Sequence, residues 1–84
     1  MEKKRLATLS IIIENLEAAH VVNRYLHEAA PYIIGRMGIP YRDRGLSVLS
    51  VVLDAPQDVT SALAGKLGQI EHVHVKSLFA PDFS

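Results

Sequence analysis

Two apolar segments, each followed by a helical pattern, constrain the fold of this 84-residue chain more than any other feature. They are "LATLSIII" (6–13) and "LSVLSVVLD" (46–54). Leucine and β-branched residues dominate both, which predicts strands, and a near-continuous apolar strand is typical of the centre of a sheet. On each strand one alternating face is apolar, whereas the other includes serine or threonine. We therefore expect the two faces of the sheet to differ.

The helical patterns that follow these strands each have one apolar stripe. Asn15 is a good N-cap for the first helix, predicted from Leu16 to Ala29, and Pro31 disfavours helical geometry in the residue before it. The second helix is predicted to begin at Pro56 and to end near Gly68. The stripes are Ala18, Val22, Tyr25, Leu26 and Ala29 in the first helix, and Val59, Leu63, Leu67 and Ile70 in the second.

Two further strands complete the pattern. The segment "YIIGRMGIPYR" (32–42) contains two glycines and a proline, which weaken a strand, so we predict an irregular strand at an edge of the sheet. A turn follows at "DRG" (43–45), where Gly45 can adopt a positive φ. The last strand is "HVHVKSLF" (72–79), with Val73 and Val75 on one face and His72, His74 and Lys76 on the other.

The element order β-α-β-β-α-β predicts an α+β, ferredoxin-like fold, because the right-handed crossover rule leaves one common arrangement for two such units. We predict a single domain (1–84) with a core of about 5–79. Its four-stranded antiparallel sheet should have the order 4-1-3-2. Both helices should cover the same face of the sheet, where the apolar side chains lie.

The sheet face without helices is predicted to be half apolar. Such a face is usually covered by another subunit or by a ligand, so we expect a homo-oligomer, either a dimer or a tetramer. Ser10, Ser50, Val52 and His74 are the candidate contacts. The whole predicted face consists of Thr8, Ser10, Ile12, Val48, Ser50, Val52, His72, His74 and Lys76.

Gly65 in the second helix is a further candidate contact between subunits. An exposed glycine inside a helix costs up to ~1 kcal/mol relative to alanine, which the close approach of a partner backbone would explain. Alternatively, Gly65 is simply tolerated and Gly68 ends the helix. The small residues on this side of the helix are Ser61, Ala64, Gly65 and Gly68.

Composition excludes several classes of function. Nine basic and nine acidic residues give a formal net charge of zero, so we expect no direct binding of nucleic acid or of an anionic membrane. Cysteine is absent, which excludes disulfides, thiolate metal sites and thiol catalysis. No apolar run approaches the ~20 residues of a membrane span. We therefore expect a cytoplasmic protein.

The sequence contains no catalytic motif, and we expect neither an enzyme nor a cofactor. The strongest candidates for ligand binding are Arg36, Gly38 and Arg42, because arginines near an irregular edge strand could hold an anionic ligand or partner. The alternative is that these arginines are solvated charges that protect the edge from aggregation.

His72 and His74 raise the question of a metal site. On one strand they would point the same way with α-carbons ~6.6 Å apart, at ~3.3 Å per residue. A site still needs a third protein ligand or a second histidine pair from a partner subunit. The alternative is that both are polar surface or interface residues, and no metal is assigned.

The segments "GRMGIPYRDRGLSVLSVVLDA" (35–55) and "ALAGKLGQIEHVHVK" (62–76) resemble a family of proposed regulators of the iron-only hydrogenase system. That family is related to ACT domains and to the C-terminal domain of the nickel-responsive regulator. The resemblance implies an ACT-like oligomer of regulatory type. Amino-acid sensing at the usual ACT site is not implied, since "ENLEAA" (14–19) lacks the expected glycine. Nickel sensing and DNA binding are not implied either, because the chain has no cysteine and no N-terminal ribbon-helix-helix.

The sequence and the resemblance together indicate a non-enzymatic, homo-oligomeric regulator of an iron-only hydrogenase system. It would sense a small ligand or bind a protein of that system. Two alternatives remain open: metal binding through an inter-subunit cluster of His72 and His74, and a purely structural role in assembly.

Overall fold

The computed structural model describes residues 3–81, and its elements follow the predicted order. Each helix follows a central strand, as expected for two βαβ units. The strands are β1 (Lys4–Ile13), β2 (Ile33–Tyr41), β3 (Leu46–Pro56) and β4 (Val73–Phe79). The helices are α1 (Leu16–Glu28) and α2 (Gln57–Gly68), and two 3-10 turns occupy Ala30–Tyr32 and Arg42–Arg44.

The four strands form one antiparallel sheet in the order β2-β3-β1-β4. This is the predicted order 4-1-3-2 read from the other edge, so the ferredoxin-like prediction is confirmed. The irregular strand β2 lies at an edge, and its pairing with β3 shifts register between Ile33 and Gly35. The two most apolar strands, β1 and β3, occupy the centre.

The core lies between the sheet and the two helices. Alternate residues of β1 and β3 face the helices, and Leu9, Ile11, Val51 and Leu53 are completely buried there. The helices contribute the predicted stripes, of which Val22, Leu26 and Leu67 are the most deeply buried members. The apolar alternation read from the sequence therefore identifies the core face.

Local signals set most element boundaries. The Asn15 side chain accepts a hydrogen bond from the Ala18 backbone N–H at 2.7 Å, which caps α1 as predicted. Gly45 has φ 66°, the left-handed conformation expected of the turn before β3. Pro56 is the last residue of β3, so α2 begins one residue later than predicted.

His72 is not part of the last strand, contrary to the prediction. It precedes β4 with φ 71°, a left-handed conformation that histidine tolerates better than most side chains. Its carbonyl accepts a hydrogen bond from the Glu14 N–H at 2.9 Å, which continues the pairing of β1 with β4 across this turn. His72 and His74 therefore do not share the regular alternation of one strand.

Thr60 supplies a stability prediction, because it is completely buried in α2. Its Oγ1 has no hydrogen-bond partner among the residues that the structure describes. Thr60→Val removes this unsatisfied hydroxyl with little change of shape, so we expect the free energy of unfolding to rise by about 1 kcal/mol. Urea denaturation measures the change, with the exposed Ser61→Ala as control. A loss of stability in Thr60→Val would show that the hydroxyl has a partner.

An exposed sheet face and a cleft beside the edge strand

The face of the sheet opposite the helices is rich in exposed apolar side chains; we call it the open sheet face. In residues 3–81 it holds seven of the nine large hydrophobic residues that are exposed, so the exposure is concentrated on one surface. Met37 and Leu78 are the extreme cases, at 61% and 71% exposed. The face consists of Leu6, Thr8, Ser10, Ile12, Met37, Ile39, Tyr41, Leu46, Val48, Ser50, Val52, Asp54, His74, Lys76 and Leu78.

The structure places Ser10, Ser50, Val52 and His74 together on this face. Ser10 pairs with Ser50 at its centre, Thr8 pairs with Val52, and Ile12 pairs with His74. The sequence interpretation missed the β2 contribution of Met37, Ile39 and Tyr41. Their period-two spacing could have shown that they share one face of the sheet. The glycines and the proline in the same segment obscured how β2 pairs with β3.

The second candidate region is a cleft between α1 and the helix-facing side of β2, here called the α1–β2 cleft. Its volume is about 270 Å³. It forms because β2 extends beyond the cover of the helices, and every residue of β2 after Ile33 is exposed. Ile39 and Val48, which belong to the open sheet face by their position in the strands, also border the cleft. The other lining residues are Ile13, Ala19, Asn23, Arg36, Gly38, Pro40, Ser47 and Leu49.

Two of the three predicted ligand-binding residues lie in this cleft. Arg36 Nη2 donates a hydrogen bond to Asn23 Oδ1 at 2.8 Å. Gly38 lies beside Leu49, whose Cδ2 would be 2.8 Å from a Cβ added at Gly38. Arg42 begins the 3-10 turn after β2 and does not line the cleft. Asn23 was not predicted, because its contact with β2 depends on how the helix packs.

The two histidines meet at a carboxylate that the sequence interpretation also missed. Glu14 Oε1 lies 3.1 Å from His74 Nε2 and 3.8 Å from His72 Nδ1, and Glu71 Oε1 lies 3.2 Å from His72 Nε2. Glu14 directly follows the pairing of Ile13 with Val73, which brings it to the histidines. Within residues 3–81, no group of three or more histidine, cysteine, aspartate or glutamate side chains has the geometry to hold a metal ion.

Gly65 lies on the exposed side of α2, and its role can be measured. Apart from Gly65 itself, its two neighbours in the chain and the backbone of its own helix, no heavy atom of the described residues lies within 4 Å of the position that a Cβ would take there. Since alanine is a better helix former, Gly65→Ala should stabilise the subunit by about 1 kcal/mol, measured by thermal unfolding. A loss of stability or a smaller particle would instead show that a partner backbone packs against Gly65, which is the contact predicted from the sequence.

Neither helix of the described chain is long and apolar enough to cross a membrane. The longer one, α1, has 13 residues.

The topology defines the class as a ferredoxin-like α+β domain. A model of the TM1266-like family, described as "Iron-only hydrogenase system regulator, putative", matches residues 5–77. The chain therefore belongs to this family of proposed regulators. No match was found among the curated proteins.

One solved structure agrees with this membership, and two others share the fold. The uncharacterized protein TM1266 from Thermotoga maritima has a TM-score of 0.89 and 38% sequence identity, over 92% of this chain and 98% of its own. The C-terminal domain of the MgtC protein from Mycobacterium tuberculosis has a TM-score of 0.71 and 15% identity, over 100% and 96% of the two chains. A formyltetrahydrofolate deformylase from Pseudomonas putida KT2440 has a TM-score of 0.66 and 17% identity, over 90% and 29%. The last two show the fold alone.

Proposed function

We propose that this chain is a non-enzymatic, ACT-like regulatory protein of an iron-only hydrogenase system, acting as a cytoplasmic homo-oligomer that responds to a small ligand or a protein partner. Membership of the family supports the regulatory role. The main observation in favour of an oligomer is the open sheet face. The exposed apolar residues of this small domain are concentrated there.

The size of the open sheet face is sufficient for a second copy of the chain. Its strands have 10, 9, 11 and 7 residues. At ~3.3 Å along a strand and ~4.8 Å between strands, the face measures roughly 600 Å². Two opposed faces would remove roughly 1,200 Å², the lower end of the range for stable interfaces.

The distribution of charge on this face also favours a second copy. Ser10 and Ser50 lie at the centre, whereas Asp54 ends the face at one side and Lys76 lies on the edge strand β4. An uncharged centre with charges at the margin agrees with the usual anatomy of a protein interface, whose core is depleted of charged residues. With both signs present, two identical faces can meet without a net repulsion.

A metal-binding role is the second candidate, because the fold brings His72 and His74 to the same carboxylate. A single subunit lacks a complete site among its described residues, so the ligands would have to come from two subunits. Elemental analysis of the purified protein and of His74→Ala decides this; metal-free wild-type protein would end the hypothesis. A purely structural assembly module is the remaining alternative, supported by the open sheet face alone.

The regulatory proposal is tested by deleting the gene in the source organism and measuring the abundance and activity of the hydrogenase. We expect the hydrogenase level to change, and the wild-type gene to restore it. A folded variant that cannot assemble should fail to restore it. An unchanged hydrogenase in the deletion strain would contradict a regulatory role.

A further inference from the structure

We propose that the α1–β2 cleft binds a small monocarboxylate with an apolar body, and that Arg36 holds the carboxylate. This inference deepens the proposed function, since it rests on a response to a small ligand and assigns the class of that ligand. Arg36 is the one charged residue in the cleft lining, and no aspartate or glutamate lines it. The cleft therefore favours an anion.

The Arg36 guanidinium is positioned for this task by α1. Its Nη2 donates to Asn23 Oδ1 at 2.8 Å, which ties the edge strand to the helix and orients the planar group. Guanidinium has five N–H donors, and this is its one hydrogen bond to another described residue. The remaining donors can make the paired hydrogen bonds that match a carboxylate. Asn23 is thus a positioning residue.

The rest of the cleft is suited to a small apolar group. Its floor includes core side chains, since Ile13 is 2% exposed and Leu49 is 9% exposed. Ala19 and Pro40 contribute to the walls. A branched, short-chain acid is small enough for a cleft of about 270 Å³.

The polar groups of the cleft favour an acid without an ammonium group over an α-amino acid. An ammonium group is held best by a carboxylate, and no carboxylate lines the cleft. The neutral side-chain acceptors there are the Ser47 hydroxyl and Asn23 Oδ1, which already accepts one hydrogen bond from Arg36. Burying an ammonium group without acceptors is costly. One cation also compensates one negative charge better than the two of a phosphate. A short branched carboxylate without an ammonium group is therefore preferred over both leucine and phosphate, and 4-methyl-2-oxopentanoate is a suitable probe of this class.

Isothermal titration calorimetry of the purified 84-residue protein tests the proposal. The probes are 4-methyl-2-oxopentanoate, leucine and inorganic phosphate at one ionic strength. We expect the oxo acid to bind, and leucine and phosphate to bind about tenfold more weakly or worse. Arg36→Gln should weaken oxo-acid binding at least about tenfold.

The matched control is Arg24→Gln, since Arg24 is an exposed arginine of α1 that does not line the cleft. It should change the affinity by less than about twofold, because an exposed charge outside the cleft lining is screened by salt. Circular dichroism confirms that both variants fold. No binding of the oxo acid, equal binding of leucine or phosphate, or unchanged binding in Arg36→Gln would overturn the inference.

The mass of the particle, measured by light scattering on the same samples, separates this inference from the proposed function. An intact oligomer that binds none of the probes refutes the ligand class while the oligomer stands. A monomer that binds the oxo acid through Arg36 refutes the oligomer while the ligand class stands.

Discussion

Ser50→Arg is expected to dissociate the proposed oligomer into monomers and to raise its dissociation constant more than about 100-fold. Ser50 lies opposite Ser10 at the centre of the open sheet face, so in the proposed assembly it would be covered by the partner. A guanidinium at this position would be buried without a counter-charge, which costs several kcal/mol, and a symmetric interface would contain it twice. Sedimentation velocity over a concentration series measures the change.

The control for Ser50→Arg is His20→Arg, which also adds an arginine to an exposed position but on α1. It should leave the particle size unchanged. Ser50 is exposed in the single subunit, so the Ser50→Arg monomer should keep the circular dichroism of the folded chain. A Ser50→Arg particle as large as the wild type would show that the open sheet face is not the interface.

Leu9→Ala should lower the free energy of unfolding by about 3–5 kcal/mol. Leu9 is completely buried on the central strand β1, where it pairs with Val51 on one side and Ser77 on the other. Truncation removes apolar contacts and leaves a cavity that neighbouring strands cannot close. The whole free energy of unfolding of a domain is only about 5–15 kcal/mol, so this loss would be a large fraction of it.

Leu16→Ala is the matched control, since the same change is made at a side chain that is 74% exposed. We expect this substitution to lower the free energy of unfolding by less than about 1 kcal/mol. Both substitutions are best compared in the Ser50→Arg background, because dissociation would otherwise add to the measured free energy. If Leu9→Ala proved no more costly than Leu16→Ala, the assignment of the core face would be wrong.

The fold could be predicted from the sequence because its signals are local. Alternation along β1 and β3 identifies the buried face, Asn15 marks the start of α1, and Gly45 marks the turn before β3. Element order and crossover handedness then leave one common strand order. The predicted start of β4 was wrong, because the left-handed backbone conformation of His72 leaves no pattern in the sequence.

The candidate site was only half predictable, for a different reason. Arg36 and Gly38 were singled out from the composition of the edge strand, whereas Asn23 and Glu14 become relevant only through tertiary contacts. Asn23 is 13 residues from Arg36, and Glu14 is 60 residues from His74. Such pairs depend on helix packing and strand register, which hydrophobic periodicity does not specify.

The mass of the wild-type particle in solution tests the central claim most directly. The claim is that a second copy of the chain covers the open sheet face. Light scattering coupled to size exclusion, at micromolar concentration, should give at least twice the 9.3 kDa of one chain. A single species of 9.3 kDa across this concentration range would contradict the proposed assembly.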